Sequence, residues 1–538
     1  MQYYEDPILG KGRAADDAQK MTSAQRQTIV IPAGKLVYDT DTGVLYYGNG
    51  DALGGVPLHT TSTENSFVYG IDKDMSTSST VATKVVLNHA YDYDGANTAL
   101  RYHAVDSFAQ TPAHSFRSVL RDLANGVDVC TLDVSDSTKK SDGTALTADE
   151  KLGKWTSGGV TTLVDFMVRI PITYWRIDHY SVEVDGQTHN HTVWLVSNQE
   201  FVDSAPHPWF FTGEGGATLA PQYVSKFRGV LCDSTGTPKA QSDENTPAAY
   251  VSANNDMLRS IMGYRPAANI SRANMRTGAG RNNADLSNLL FREWLTLMTV
   301  IDGGDFNVQN SISFGFANCS SYMYAALRKT GRSAVFGNQT GEIVADETPE
   351  TGLDLDLLTM KDGGTIWNTS GSRVVSFCWR GIEDPWGGLW EQADGCQKNQ
   401  DAVADDYSNS GYWVTNDTTK YVSLDTDKGS GQEDEQFPSR GYTGDSIAWV
   451  SIPFPKTGGY IKTFDEKSFL CKTTGGSSTT YFGDYFYNDA NAGARLVYFG
   501  GHANNGAYVG VGYAAVYNGL GNAHASLGCR LSAPATVA

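Results

Sequence analysis

The chain has 538 residues, with 60 acidic against 41 basic side chains and a net charge of −19, so it lacks the basic footprint that neutralises phosphates and no nucleic-acid partner is expected. Hydrophobic residues make up 40% and charged residues only 19%, which argues against wholesale disorder and implies about two to four domains with surfaces built from Ser, Thr, Asn and Gly. No apolar run reaches the roughly 18 to 20 residues that span a bilayer, and Met1-Gln-Tyr-Tyr-Glu-Asp6 has neither the basic nor the apolar region of a signal peptide; cytosolic synthesis without membrane insertion is expected. The seven cysteines show no CxxC spacing and read as buried thiols, neither a disulfide frame nor a zinc site.

Residues 1 to 22 read as irregular or as a short helix. Gln27 to Tyr38 reads as a strand, a Pro-Ala-Gly turn and a second strand, and the Asp39 to Gly43 turn leads into the strand Val44-Leu-Tyr-Tyr47. A lone hairpin is marginal in water, so this one needs partners. Residues 51 to 85 read as a linker. Ser115 to Gly126 has Phe116, Val119, Leu120 and Leu123 at helical spacing, with Gly126 as the C-cap, and predicts a short helix. Asp165 to Arg176 reads as a strand pair, and Ser181 to Val196 as alternating strands turned at Asp185-Gly186. The one long helix is expected from Asp285 to Ile301, with Leu286, Leu289, Leu290, Trp294, Leu297, Met298 and Ile301 on its apolar face and Gly303-Gly304 ending it. Residues 338 to 363 and 397 to 442 read as hydrophilic inserts.

Between Ala494-Arg495-Leu496 and Cys529-Arg530-Leu531 the sequence is almost wholly Gly, Ala, Asn, Tyr, Val and His. Tyr gives rigid contact area at low entropic cost, Asn and His give adaptable hydrogen bonds, and Gly and Ala let the backbone lie flat, which is the composition of a paratope. The side chains left free to choose a ligand are His502, Asn504, Asn505, Tyr508, Val511, Tyr513, Val516, Tyr517, Asn518, Asn522, His524 and Ser526, with Tyr508, Tyr513 and Tyr517 as the expected anchors.

These frames, the Gly500-Gly501 pair and the closing Gly-Cys-Arg-Leu resemble the variable region of proteins diversified by diversity-generating retroelements, the phage tropism determinants among them. Gly381-Ile-Glu-Asp-Pro-Trp-Gly-Gly-Leu-Trp-Glu391 resembles the Gly-Asn-Val-Trp-Glu-Trp signature of the formylglycine-generating-enzyme type of C-type-lectin fold, with Gly388, Leu389 and Gln392 departing from it. Ile31 to Gly50 resembles the N-terminal module of phage tail fibres. The resemblance implies an α+β chain: a β-rich virion-proximal and trimerising module over 1–60, an intermediate region over 61–160, and a lectin-type domain over 161–538 whose variable region is 495–531. It also implies scaffold roles for Trp386, Trp390, Glu391, Arg495 and Arg530, a host surface receptor, protein or glycan, as partner, and tail proteins of the virion as neighbours.

Catalytic readings are weaker. Cys529 lacks the paired cysteine of the oxidases of that fold and reads as a small buried residue, so oxidase activity is not expected. His189-Asn-His191 has the alternation of a metal pair but follows a turn signal, so a solvated hairpin tip is the expectation, with a shared site on a trimer axis as the alternative. Asp354, Asp356, Asp401, Asp405, Asp406, Glu433, Asp434 and Glu435 would make a glycosidase pair only if two of them converged to about 5 to 10 Å. No cofactor is called for. The readings in order are a phage receptor-binding protein, a virion glycan depolymerase, and a bacterial surface lectin of the same diversified family.

Overall fold

The computed structural model describes residues 19–21, 36–39, 45–47, 56–59, 68–87, 102–104, 116–133, 137–212, 218–242, 246–312, 327, 330–331, 377–399, 411–415, 417–427, 447–450, 455–489 and 493–534. Strands outnumber helices throughout, and the class is α+β. The chain divides into two compact units: Met1–Asp74 with Thr83–His114 and Tyr174–Ser204, and Met75–Ala82 with Ser115–Thr173 and Ala205–Ala538. This division departs from the expected boundaries, because residues 115 to 160 belong with the large unit while the hairpin at 174 to 204 belongs with the small one.

In the smaller unit the strands Tyr174–Val184 and Gln187–Ser197 form an antiparallel hairpin. Its tip is Asp185 at φ 51° and Gly186 at φ 77°, the two left-handed residues that a tight hairpin turn of the right twist requires. The second strand pairs with Tyr69–Asp74, which continues through Thr83–Leu87 to Tyr102–Ala104. Val68, Val85, Val193 and Leu195 form the core of this sheet. A separate sheet orders the strands Gln19–Met21, Leu36–Asp39, Leu45–Tyr47 and Val56–His59. The expected hairpin pairing of 36–39 with 45–47 is present, while its turn at Gly43 and the strand expected near residue 30 lie outside the described residues. Two readings are corrected: residues 19 to 21 are extended, and the supposed linker at 51 to 85 carries three strands.

The larger unit holds two main sheets. One orders Asp285–Leu286, Arg530–Pro534, Gln222–Arg228, Asp165–Ile170, Arg117–Asp122 and Val127–Thr131, all neighbours antiparallel, so the C-terminal strand lies inside the sheet. The helix expected over 115 to 126 is therefore a strand and a turn. Val119 packs into one buried cluster and Leu120 into another, so a strand covered on both faces mimics helical spacing in sequence. The strand pair expected at 165 to 176 is also corrected: 165–170 and 174–184 lie in different sheets of different units.

The helix Leu289–Gly303 starts at an Asn288 cap and ends at Gly304 in the left-handed region, close to expectation, although Asp285–Leu286 is strand. It is buried on every side from Leu289 to Asp302, not on one face alone. Several of its polar side chains are matched: Thr296 and Thr299 donate to carbonyls one turn back, Asp302 accepts from Trp379 Nε1 at 3.0 Å and Arg380 Nε at 2.5 Å, and Trp294 donates to Thr173 at 3.0 Å. The stretch 397 to 442 is more than an insert, since Cys396–Asn399, Gly411–Val414 and Ala448–Val450 make a three-stranded sheet.

The second main sheet orders Cys471–Thr474, Gly459–Phe464, Tyr485–Tyr487, Ala514–Ala515, Tyr498–Phe499, Trp390–Gln392 and Leu527–Gly528. Five of its seven strands come from the Trp–Glu segment, residues 485 to 487 or the terminal stretch, and two of its pairings are parallel. No helix among the described residues is long and apolar enough to cross a membrane.

Candidate functional site

Glu391 lies at the centre of the scaffold beneath the terminal stretch. Its carboxylate takes Ser287 Oγ at 2.7 Å and pairs with Arg292 and, at 3.5 Å, with Arg530. Burial pushes its pKa up, but Arg292, Arg530 and Arg228 outweigh that and hold it below the ordinary range. The same arginines bind backbone. Arg530 donates to the carbonyls of Ser225 and Glu383, Arg228 to those of Gly387 and Leu389, and Arg292 to that of Pro385, at 2.6–2.7 Å. Residues 383 to 389 are thereby held at alternate carbonyls, with Trp386 fully buried and Trp390 at 3% exposure.

That segment carries the terminal stretch. Gly387 N–H donates to Gly500 O and Ala503 N–H to Gly388 O, each at 3.0 Å. Gly500 has φ 87°, and a Cβ there would stand 3.1 Å from Trp386 Cα, so only glycine sits this close. Above it the Trp390 ring contacts Tyr513, Tyr498 and His502, with centroids at 4.5, 6.4 and 6.1 Å. The next loop, 506 to 512, is held from two other segments. Gln309 Nε2 donates to the carbonyls of Ala507, at 2.7 Å, and Val509. Asp484 Oδ2 accepts from Gly512 N–H at 2.7 Å, and a Cβ on Gly510 would fall 1.8 Å from Asp484 Oδ1. Asp484 is fully buried, its Oδ1 has no hydrogen-bond partner among the described residues, and burial pushes its pKa up to about 7.

The expected contact residues separate into two groups. Val511, Tyr513, Val516 and Ser526 are buried, which corrects their assignment: Tyr513 packs with Trp390, Leu496 and Tyr498, and Ser526 is tied to His524 Nδ1 at 2.8 Å while its carbonyl accepts from Trp390 N–H at 2.9 Å. Tyr508, Asn504 and His524 are exposed, and His502, Asn505, Tyr517, Asn518 and Asn522 are half-buried. Asn505 Oδ1 accepts from His502 N–H at 2.7 Å, and Asn522 Nδ2 donates to Tyr498 OH at 3.2 Å, so these two amides partly serve the loop itself. His502 is kept neutral, its pKa lowered to about 4 by burial and then by His524.

Tyr508 and Tyr517 each lie against a tyrosine from outside the stretch: Tyr508 on Tyr485 at 4.2 Å, and Tyr517 on Tyr487 at 4.9 Å. Tyr460 completes the group, 5.6 Å from Tyr508 and 5.2 Å from Tyr485. Sequence reasoning missed Tyr460, Tyr485, Tyr487, Asp484 and Gln309; the alternation Tyr485-Phe486-Tyr487 before a Gly/Asn-rich stretch was the available signal for the last two tyrosines.

The scaffold residues differ in role. Trp386, Trp390, Glu391 and Arg530 are buried in the hub, whereas Arg495 contributes chiefly through its backbone, bridged to Lys398 in both directions at 2.9 Å. The two Arg-Leu frames are thus alike in sequence and unlike in structure. His189 and His191 are not a bare hairpin tip: their Nδ1 atoms lie 2.6 Å from Asp74 and 2.8 Å from Asp72 across the sheet. No group of three or more potential metal ligands occurs among the described residues. Cys529 is fully buried, and Asp354, Asp356, Asp401, Asp405, Asp406, Glu433, Asp434 and Glu435 lie outside the described residues.

No family model and no curated protein matches the sequence. Among solved structures, the chain aligns with the Major Tropism Determinant P3c variant at 13% identity and a TM-score of 0.23, covering 96% of this chain and 99% of that one. The I1 variant aligns at 12% identity and a TM-score of 0.21, and the M1 variant at 12% and 0.22, each over 96% of this chain and 98% of the other. The chain resembles the tropism determinants in the extent of the alignment.

Proposed function

We propose that this chain is a phage receptor-binding protein, a tail-fibre adhesin that attaches the virion to a host surface receptor through side chains of residues 495 to 531. The observation that carries the reading is the exposed Tyr508 and half-buried Tyr517 above a backbone fixed by the Glu391 hub, Gln309 and Asp484. Such a loop lets outward side chains change while the fold beneath stays constant, which is what an exchangeable contact surface demands. The sequence frames support a lectin-type domain of the formylglycine-generating-enzyme type, diversified by a retroelement, on a trimer whose N-terminal module meets the tail. Three linked sites would add avidity to weak single contacts. Function is then adhesion without bond making, in the virion tail.

The test is to incubate the labelled chain with a panel of bacterial strains. Saturable binding to some strains, with no oligosaccharide released, is expected. Binding to none, or release of oligosaccharide, overturns the reading, the latter in favour of a depolymerase.

A further inference from the structure

We infer that the contact surface is a composite, in which Tyr460, Tyr485 and Tyr487 supply a constant half to the exchangeable Tyr508 and Tyr517, and that this row selects an uncharged glycan. The inference rests on the adhesin reading and adds to it both residues and a ligand class.

Tyr485 and Tyr487 are two apart on one strand, so their rings leave the same face about 7 Å apart, while Phe486 between them turns inward to full burial. Each carries one tyrosine of the terminal stretch, and Tyr460 from the neighbouring strand closes one end. Tyr487 and Tyr508 are 40% and 41% exposed, among the few large apolar-bodied side chains so open to solvent in the described residues. Mutual contact between the rings restricts their rotamers before any ligand arrives, which lowers the ordering cost of binding. Because three of the five rings lie outside residues 495 to 531, replacement of the stretch leaves them in place.

Charge decides the ligand class. The side chains that form the row bear no formal charge, and the charges beside it are of both signs: Asp489 acts on Tyr517 and also on Lys398, and Lys462 follows Tyr460 by two residues on its strand. An acidic polysaccharide finds no cation within the row to pair its carboxylates, in a chain of net charge −19. A protein epitope brings charged side chains in roughly a quarter of its positions, and these lose hydration here without a partner. A neutral sugar chain presents only C–H faces, which stack on tyrosine rings, and hydroxyls, which the phenol groups and the amide of Asn518 beside Tyr517 meet.

The experiment applies the purified full chain to immobilised bacterial polysaccharides, neutral and uronic-acid-bearing, and repeats the measurement with Tyr485→Ala/Tyr487→Ala. Binding to at least one neutral polysaccharide is expected, little changed by salt between about 50 and about 500 mM, with at least a tenfold loss in the double variant. Should the alanine variant melt early, Tyr485→Leu/Tyr487→Leu keeps the apolar packing and removes the ring, and the same loss is expected. Binding confined to acidic polysaccharides, or undiminished binding by a folded double variant, overturns the inference. So does binding to bacterial cells that protease treatment abolishes and periodate oxidation leaves intact. That last result keeps the adhesin reading, whereas absence of any binding to cells removes it.

Discussion

Asp484 is a buried acid placed where its charge state bears on the contact loop. Its pKa rises from an ordinary 3.8 to about 7 because burial removes its hydration and one Gly512 N–H replaces only part of it. The folded chain therefore binds this proton more tightly than the unfolded chain, and stability falls as pH rises from about 4 to about 7, then stays level with respect to this group. The span corresponds to roughly 4 kcal/mol, at about 1.4 kcal/mol for each tenfold change in proton affinity. Asp484→Asn keeps the acceptor for Gly512 and stays neutral at every pH. Urea unfolding followed by tryptophan fluorescence at several pH values is expected to show the wild type losing up to about 4 kcal/mol more than Asp484→Asn between pH 4 and pH 8. Other titrating groups affect both proteins alike and cancel in the difference. Parallel pH profiles for the two would refute the placement of Asp484 as an uncompensated buried carboxyl.

Three further outcomes test the scaffold. Gly510→Ala puts a methyl 1.8 Å from Asp484 Oδ1, so about 1–3 kcal/mol of destabilisation is expected, with partial recovery in Gly510→Ala/Asp484→Ala; equal melting of the single and double variants counts against the contact. Glu391→Gln leaves Arg228, Arg292 and Arg530 without their shared counter-charge, and denaturant unfolding is expected to report a loss of about 3–5 kcal/mol. Tyr513→Ala is expected to cost about 3–5 kcal/mol, as a core aromatic does, whereas Tyr508→Ala changes stability by less than about 1 kcal/mol; thermal melting of the two variants side by side shows whether the buried and exposed tyrosines have been told apart.

What the sequence discloses and what it hides have separate physical causes. The long helix was legible because its apolar residues recur at helical spacing and Gly303-Gly304 ends it, whereas its start, at an Asn288 cap and not at Asp285, was not read. The Trp390-Glu391 segment was legible as a motif, yet the arginines that hold it, 228 and 292, come from segments 163 and 99 residues before Glu391 and nothing local announces them. Burial misled in two places. The strand at 117 to 122 is covered on both faces, so it shows no period of two. In the terminal stretch, Tyr, Val and Asn look equally available, but the ring of Trp390, on a strand of the same sheet, packs against Tyr513 and buries it, while Tyr508 stays exposed. Composition indicated a contact surface; only packing divides its members into supports and contacts.

The central claim is a fixed scaffold under exchangeable side chains, and a library randomised together at Asn504, Tyr508, Tyr517, Asn518, Asn522 and His524 tests it most directly. Each member is scored for melting temperature and for the bacterial strains it binds. The account predicts that most members melt within about 3 °C of the parent, a shift worth roughly 1 kcal/mol, while the set of strains bound changes from member to member. Widespread unfolding across the library, or an unchanged set of strains, would contradict it.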